Sequence, residues 1–323
     1  MAAPLNIIVI GCGVIGLTTA LVLREAGHRV RIWARDRPPH LTSSVAAAFW
    51  YPYRVSPERR VTPWARQSHR DFSELAAQPD AGILAREALE LFRVHGPAAP
   101  TWGAALPAHS PAPPDQLPPG FAAGVLFSSF VIETPRYLPW LSQRLLDAGG
   151  VIEPHTLRPL DPHRDDPCNS TDLLIDCAGL GARELARDPA VYPVRGQLVR
   201  VTNPGLERVI LDESGPAITY IVPRSADVIL GGSSDEGAED TAPDPELGQA
   251  ILRRCVEIEP RLRSAAVLGH LVGLRPCRPE LRLELEHRPG GPPVIHNYGH
   301  GGAGVTLSWG CAREVAQLVA QLT

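Results

Sequence analysis

The sequence predicts an α/β fold in which a Rossmann-like domain with a parallel sheet is interleaved with a second, mainly antiparallel β domain. Three observations predict it. Residues 5–36 read as strand, glycine turn, helix and strand, with an acid just past the second strand. Residues 194–285 change to short apolar or alternating runs broken by one helical stretch. Residues 294–322 return to strand, glycine-rich turn and helix, so the first pattern encloses the second. At 323 residues the chain is about twice the usual domain length. The boundaries expected are 1–52, 140–190 and 289–323 for the nucleotide domain, and 53–139 with 191–288 for the other.

The elements follow in order. Asn6 to Ile10 is an apolar buried strand, and Val14 to Ala26 a helix that stops at Gly27, a residue free to turn left-handed. The apolar run from Leu5 to Leu23 has no basic residue before it and is cut by Gly11, Gly13 and Gly16, which argues against a leader or a membrane span. Arg29 to Ala34 gives the second strand, and the parallel pairing needs the intervening helix as crossover. Helices are predicted over Trp64 to Ala76 and Ile83 to Phe92. The proline-rich stretch between Gly96 and Gly120 is a surface connection, because proline supplies no ladder donor. Gly124 to Glu133 reads as a strand. Thr134-Pro135 then opens a helix that runs to Ala148. Leu173 to Ala178 is a buried strand ending in glycine, and a helix lies near Glu246 to Glu257 among the β-rich runs. Asp235-Glu236 and Glu239-Asp240 make an acidic hairpin or loop. Val294 to Asn297 is a strand, His300 to Gly304 a turn, and Val305 to Leu322 a helix.

Composition removes several functions. A chain 44% hydrophobic and 20% charged can build a core, and a net charge of −4 offers no attraction to nucleic acid or an anionic membrane. All 31 basic residues are arginine, which excludes a Walker lysine, a pyridoxal Schiff base and a lysine nucleophile. The six cysteines show no C-x-x-C pair and no zinc spacing, so no metal is expected. A single bridge such as Cys255 to Cys277 stays open. There is no G-x-S-x-G elbow, H-E-x-x-H helix or calcium loop.

The chemistry begins at Gly11-Cys-Gly13-Val14-Ile15-Gly16. The first glycine permits the tight turn, the second lets a pyrophosphate reach the backbone, and the third lets helix and strand pack. The helix N-terminus adds amide donors and a positive dipole end. Asp36, 20 residues after Gly16, can accept from the ribose hydroxyls. Arg35 beside it reads either as a clamp for a 2′-phosphate, which Asp36 disfavours, or as a solvated charge. A second small-residue approach to a helix, His300 to Gly304, exceeds what a nicotinamide enzyme needs and suits a flavin ring.

Taken together, the opening G-C-G-V-I-G, S-S-V-A-A-A-F-W-Y-P-Y (Ser43 to Tyr53), I-D-C-A-G (Ile175 to Gly179), V-R-G-Q (Val194 to Gln197) and Y-I-V-P with V-I-L-G-G (Tyr220 to Gly232) resemble the D-amino-acid oxidases, in the flavoprotein family that also includes D-aspartate oxidase. V-G-L-R-P-C-R-P-E-L-R (Val272 to Arg282) and V-I-H-N-Y-G-H-G-G-A-G-V-T (Val294 to Thr306) continue the resemblance, nearly end to end and in family order.

The resemblance implies non-covalent FAD, held by the glycine turn with Arg35 and Asp36, by Ser43, Ser44, Ala47 and Ala48, by Ala178 and Gly179, and by Gly301, Gly304, Val305 and Thr306. It implies that Arg282 binds the substrate α-carboxylate through two parallel bonds, for which planar guanidinium is suited. Arg275 and Arg278 are read as solvated. Tyr220 donates to the same carboxylate, the Gly302 carbonyl accepts from the amine, and Phe49 and Tyr53 line the side-chain pocket. Arg282→Ala is then expected to raise the Michaelis constant with FAD retained. The implied reaction is oxidative deamination of neutral D-amino acids to 2-oxo acids and ammonia, with hydride passing from Cα to flavin N5 and oxygen reduced to hydrogen peroxide.

Departures bear on substrate choice. The stretch Glu213 to Ala217 is short and lacks a second tyrosine, Tyr51 replaces a common glutamine, and Ala48 replaces a glycine. Arg54 reads as a loop arginine in water; the other reading, a second substrate cation, would give a D-aspartate oxidase. A non-catalytic nucleotide-binding scaffold is the reading from a different class. The partners expected are a small D-amino acid and oxygen, with no nucleic acid and no membrane, and a homodimer is admitted without being required. Lysine-free, arginine-, alanine- and proline-rich usage points to a high-GC bacterium and a cytoplasmic location.

Overall fold

The computed structural model describes residues 3–52, 55–94, 101–106, 108–156 and 171–322. Tyr53 and Arg54 lie outside them, as does Cys168. Strand β1 (Asn6–Ile10), helix α1 (Val14–Glu25) and strand β2 (Arg29–Ala34) form the opening unit, with β1 parallel to β2. The short α2 (Thr42–Val45) and the long α3 (Glu58–Leu75) follow. The predicted helix at Trp64 is α3, which starts earlier and carries Pro63 in its first turns.

Residues Ile83–Phe92, predicted as a helix, form strand β3. Their composition of Ala, Leu, Glu and Arg favours a helix, but the segment lies between β5 (Ala123–Ile132) and β9 (Val209–Asp212) and hydrogen-bonds to both. Pairing across the sheet overrides local propensity here. The proline-rich connection contributes a three-residue edge strand, β4 (His109–Pro111), and short helical turns. Helix α4 (Thr134–Asp147), β6 (Val151–Pro154), β7 (Leu173–Asp176) and α5 (Ala182–Leu185) come next. Then come β8 (Tyr192–Val201), β10 (Thr219–Pro223), β11 (Val228–Gly231), β12 (Asp235–Glu236), α6 (Pro245–Ile258), β13 (Val267–Glu286), β14 (Val294–His300) and α7 (Gly304–Ala320). Of the acidic stretch, Asp235–Glu236 form β12, paired with β8, and Glu239-Asp240 lie outside any strand.

Among the described residues the strands form one sheet in the order β4-β5-β3-β9-β10-β11-β8-β13-β14-β7-β1-β2-β6. The run from β14 to β6 is parallel. The rest is antiparallel except where β3 meets β9. The twenty-residue β13 joins the two halves: Val267 to Cys277 pair with β8, Arg282 to Glu286 with β14, and the register shifts between Cys277 and Arg282. Helices α1, α4, α3 and α7 cover the nucleotide half through one large apolar core. Helix α6 covers one face of the antiparallel half through Ile251, Cys255 and Ile258. The other face of that half, carrying Leu198, Leu211 and Tyr220, turns to the cavity.

Cys12, Cys177, Cys255, Cys277 and Cys311 are free thiols, so the Cys255–Cys277 bridge does not form. Among the described residues no helix is long and apolar enough to cross a membrane.

Candidate active site

A cavity of about 550 Å³ runs from the end of β2 across the sheet to Tyr220. At one end β1 delivers the glycine turn. Gly11 has φ +105°, and a Cβ there would lie 2.5 Å from the Cys177 carbonyl oxygen; a Cβ on Gly16 would lie 1.9 Å from the Gly11 carbonyl oxygen. Both positions therefore require glycine, whereas Gly13 has only Ser43 Oγ nearby, at 3.3 Å. The Val14 amide donates to Ser43 Oγ (3.1 Å), tying helix α1 to α2. Arg35 and Asp36 border the cavity and pair with each other at 2.8 Å. Trp33 and His155 also border it, stacked with centroids 4.3 Å apart.

Gly11, Gly13, Val14, Ile15, Ser43, Ala47, Ala48, Ala178, Gly179, Gly301, Gly304, Val305 and Thr306 all line the cavity. Gly16 and Ser44 do not; Gly16 acts through packing beneath the turn. Asp176 sits at the end of β7 and accepts from the Ala178 amide (3.0 Å), shaping the second wall. Ala48 has φ +55°, a left-handed conformation that favours glycine. The family glycine at this position thus has a backbone cause.

The other end is built on the antiparallel sheet. Register aligns Leu198, Gly231, Tyr220 and Leu211 across β8, β11, β10 and β9, placing them on one face. Gly196, Gly273 and Arg275 share it through the β8–β13 pairing, in which Gly196 faces Gly273 and Val194 faces Arg275. The Arg275 guanidinium lies over Gly196, where a Cβ would stand 2.4 Å from its nitrogen, and donates to the Ser233 carbonyl at 3.1 Å. The Tyr220 ring lies on the Gly231–Gly232 backbone; a Cβ on Gly231 would stand 2.0 Å from the ring. Two glycines ending β11 thus make room for one tyrosine.

The expectation for Arg282 is corrected. Arg282 is outside the cavity and pairs with Glu284 (2.7 Å) and Glu286 (2.9 Å), while donating to the Tyr298 hydroxyl (2.8 Å). Burial disfavours its charge, but the bonds to Glu284 and Tyr298 outweigh that and raise its pKa. The expectation for Arg275 is corrected in the opposite sense, since it lines the cavity. The two are seven positions apart, an odd step, and the register shift lies between them, so Arg282 belongs to the nucleotide half. Arg278 is tied to Asp188 at 2.9 Å rather than solvated.

Gly302 and Phe49 line the cavity. The Phe49 ring stacks on Tyr51 (5.7 Å) and tilts toward Tyr220 (6.4 Å), and Tyr51 is fastened to helix α7 by reciprocal bonds with Thr306. His300 is buried in the wall, and burial lowers its pKa to about 3, so its ring is neutral at ordinary pH. The sequence reading missed Arg275, Trp33, His155, Leu198, Leu211 and Asn297. Counting in twos from Gly273 would have found Arg275.

The residues fit FAD. The glycine turn leaves bare backbone at a helix N-terminus where a pyrophosphate could be held, Asp36 borders the cavity as a carboxylate able to accept from ribose hydroxyls, and Gly301 to Thr306 bring a second helix N-terminus to the cavity.

The family model described as FAD dependent oxidoreductase matches residues 6–318. The D-amino-acid oxidase of Rubrobacter xylanophilus is 52% identical over 312 residues, covering 96% of this chain and 94% of that protein. The D-amino-acid oxidase of Streptomyces coelicolor is 44% identical over 324 residues, covering 97% and 96%. Glycine oxidase from Geobacillus kaustophilus, at 20% identity, shares the fold with a TM-score of 0.82, covering 99% of this chain and 95% of that one.

Proposed function

The chain belongs to the FAD dependent oxidoreductase family, on its D-amino-acid oxidase branch, and from that premise we propose how its residues divide the work. It is an FAD-dependent enzyme of oxidative deamination, acting on D-amino acids. Bound FAD supplies the two-electron oxidant and, with oxygen, the route to hydrogen peroxide.

Arg275 binds the α-carboxylate through two parallel N–H bonds, and the Tyr220 hydroxyl donates to the same group. The observation that carries this reading is the shared cavity face: both side chains rest on glycine backbone that admits them, Gly196 under Arg275 and Gly231 under Tyr220. The Gly302 carbonyl accepts from the substrate amine. These anchors fix two substituents of Cα, the carboxylate and the amine, and the apolar surface takes the side chain, so one enantiomer turns its hydrogen toward the cofactor and the other turns it away. Positioning of this kind supplies much of the rate, without a catalytic acid or base. Neutral His300 adds no charge to the wall. Phe49, Leu198, Leu211 and Ile218 offer an apolar surface for the side chain, which supports neutral substrates. The product imino acid leaves and hydrolyses to a 2-oxo acid and ammonia.

The test is the visible flavin spectrum, recorded without oxygen before and after adding D-alanine or D-proline, with L-alanine as control. Bleaching by the D-enantiomers alone is expected. Bleaching by D-aspartate and by no neutral D-amino acid would replace the neutral reading with an acidic one.

A further inference from the structure

Strand β11 leaves its ladder with β8 beside Arg275. Up to Gly231 and Leu198 the two strands keep one register, and β12 resumes the pairing with β8 at Asp235 and Arg195. Between those pairs, Gly196 and Gln197 of β8 face three residues, Gly232 to Ser234, so the chain carries one extra residue there, a β-bulge. Gly232 would face Gln197 if the register continued, but its amide bonds the Ile218 carbonyl (3.1 Å) and its carbonyl accepts from Arg254 (2.9 Å). The buried Gln197 amide, with its ladder acceptor taken, donates to the Ser233 hydroxyl instead, at 3.1 Å. That hydroxyl gives its one hydrogen to Asp235 Oδ2 (3.0 Å), which also pairs with Arg195 (3.3 Å). The Ser233 carbonyl accepts from Arg275 Nη1 at 3.1 Å, and the Arg195 carbonyl meets the same nitrogen at 3.4 Å.

We propose that Ser233 is a positioning residue for substrate binding: its hydroxyl closes the gap that the bulge leaves in the ladder, and the carbonyl so fixed aims the Arg275 guanidinium at the substrate α-carboxylate. The proposal rests on the reading of Arg275 given above. An arginine side chain has many rotamers, and its planar fork makes two parallel bonds only when its plane and direction are set. With both Nη1 hydrogens spent on carbonyls, Nη2 and Nε remain as the fork. Rotamer freedom is then lost before substrate arrives rather than on binding, which favours affinity. Both acceptors are neutral carbonyls, so they orient the cation without pairing its charge. Asp235, from the acidic stretch, acts at one further remove by orienting the Ser233 hydroxyl. Ser233 itself touches no substrate, and its effect is the direction of one guanidinium.

The experiment measures KM and kcat for D-alanine, the dissociation constant of FAD by flavin fluorescence, and the melting temperature, in the FAD-loaded parent and its variants. Ser233→Ala should raise KM about tenfold, the scale of one hydrogen bond that orients a charged group, with kcat and the FAD dissociation constant within about twofold of the parent. Ser233→Thr keeps the hydroxyl and should hold KM within about threefold of the parent. In an Arg275→Ala enzyme, adding Ser233→Ala should move KM by less than about twofold, because the effect passes through the guanidinium. A merely structural hydroxyl would lower the melting temperature in both backgrounds and leave KM alone. A Ser233→Ala enzyme with the parent KM, or a rise in KM that persists in full without Arg275, overturns the proposal. If Ser233→Ala does not fold, Asp235→Ala decides, at a half-exposed residue that orients the same hydroxyl. Its KM should rise about threefold with FAD retained, and an unmoved KM overturns the proposal as well. An Arg275→Ala enzyme with the parent KM would instead remove the substrate reading beneath it.

Discussion

Arg275 and Arg282 stand on the same strand, yet one lies over Gly196 in the cavity and the other is locked to Glu284, Glu286 and the Tyr298 hydroxyl outside it. The register shift between Cys277 and Arg282 separates them, because β13 there passes from the antiparallel half to β14. One strand thus supplies a cation to the cavity and, after the shift, one outside it.

Arg275→Ala should raise the Michaelis constant for D-alanine by about 30-fold or more, since truncating one partner of a desolvated charge pair costs about 2–5 kcal/mol. Flavin absorbance should be retained. Arg282→Ala should leave that constant within about threefold and lower the melting temperature, having lost its three partners. The reverse pattern in steady-state kinetics would return the carboxylate to Arg282.

Gly231→Ala should displace the Tyr220 ring, because the new methyl would stand 2.0 Å from Cζ. The expected result is a weaker D-alanine Michaelis constant, by about tenfold, together with loss of about 1–3 kcal/mol of stability from overpacking. Tyr220→Phe should reproduce part of the kinetic effect while leaving stability near the parent. Parent-like kinetics in both variants would take Tyr220 out of substrate binding.

Gly16→Ala should yield protein without bound flavin, measured as visible flavin absorbance per protein after reconstitution with FAD. The added methyl meets backbone, the Gly11 carbonyl oxygen at 1.9 Å, so no side-chain rotation relieves it and the turn must open. Normal flavin content would show that the turn tolerates a wider helix–strand spacing.

His300 gives stability a pH dependence of definite sign. Burial lowers its pKa to about 3, whereas the unfolded ring titrates near 6.5. Its contribution is complete above about pH 6.5 and is lost as the pH falls toward 3, because the unfolded chain takes the proton first. The slope is up to about 1.4 kcal/mol per pH unit. His300→Asn should flatten the denaturation profile between about pH 4 and 6, and an identical slope in parent and variant would mean that the folded ring takes up the proton.

Much of the nucleotide half was legible because its signals are local. The strand, the three glycines, the helix and Asp36 lie within one short stretch, and each has a steric or hydrogen-bonding cause that needs no distant partner. Strand β3 was not legible, because Ile83–Phe92 becomes a strand through β5 and β9, both far along the chain. Tyr220 was named from its motif, and the structure brings it to the cavity. The reason it fits, the glycine pair on the neighbouring strand, appears with the register.

The sequence by itself determined the cofactor turn, the family and the alternation of the two halves, since glycine sterics, strand periodicity and acid spacing are written in neighbouring residues. Tertiary structure decided which of two arginines meets the cavity, and it set Tyr220 in one row with Gly231 and Leu211. Those outcomes depend on where a strand shifts register and which strands it joins. A side chain's face reverses with every odd step in register, so its place in the site is fixed by pairing rather than by its own identity.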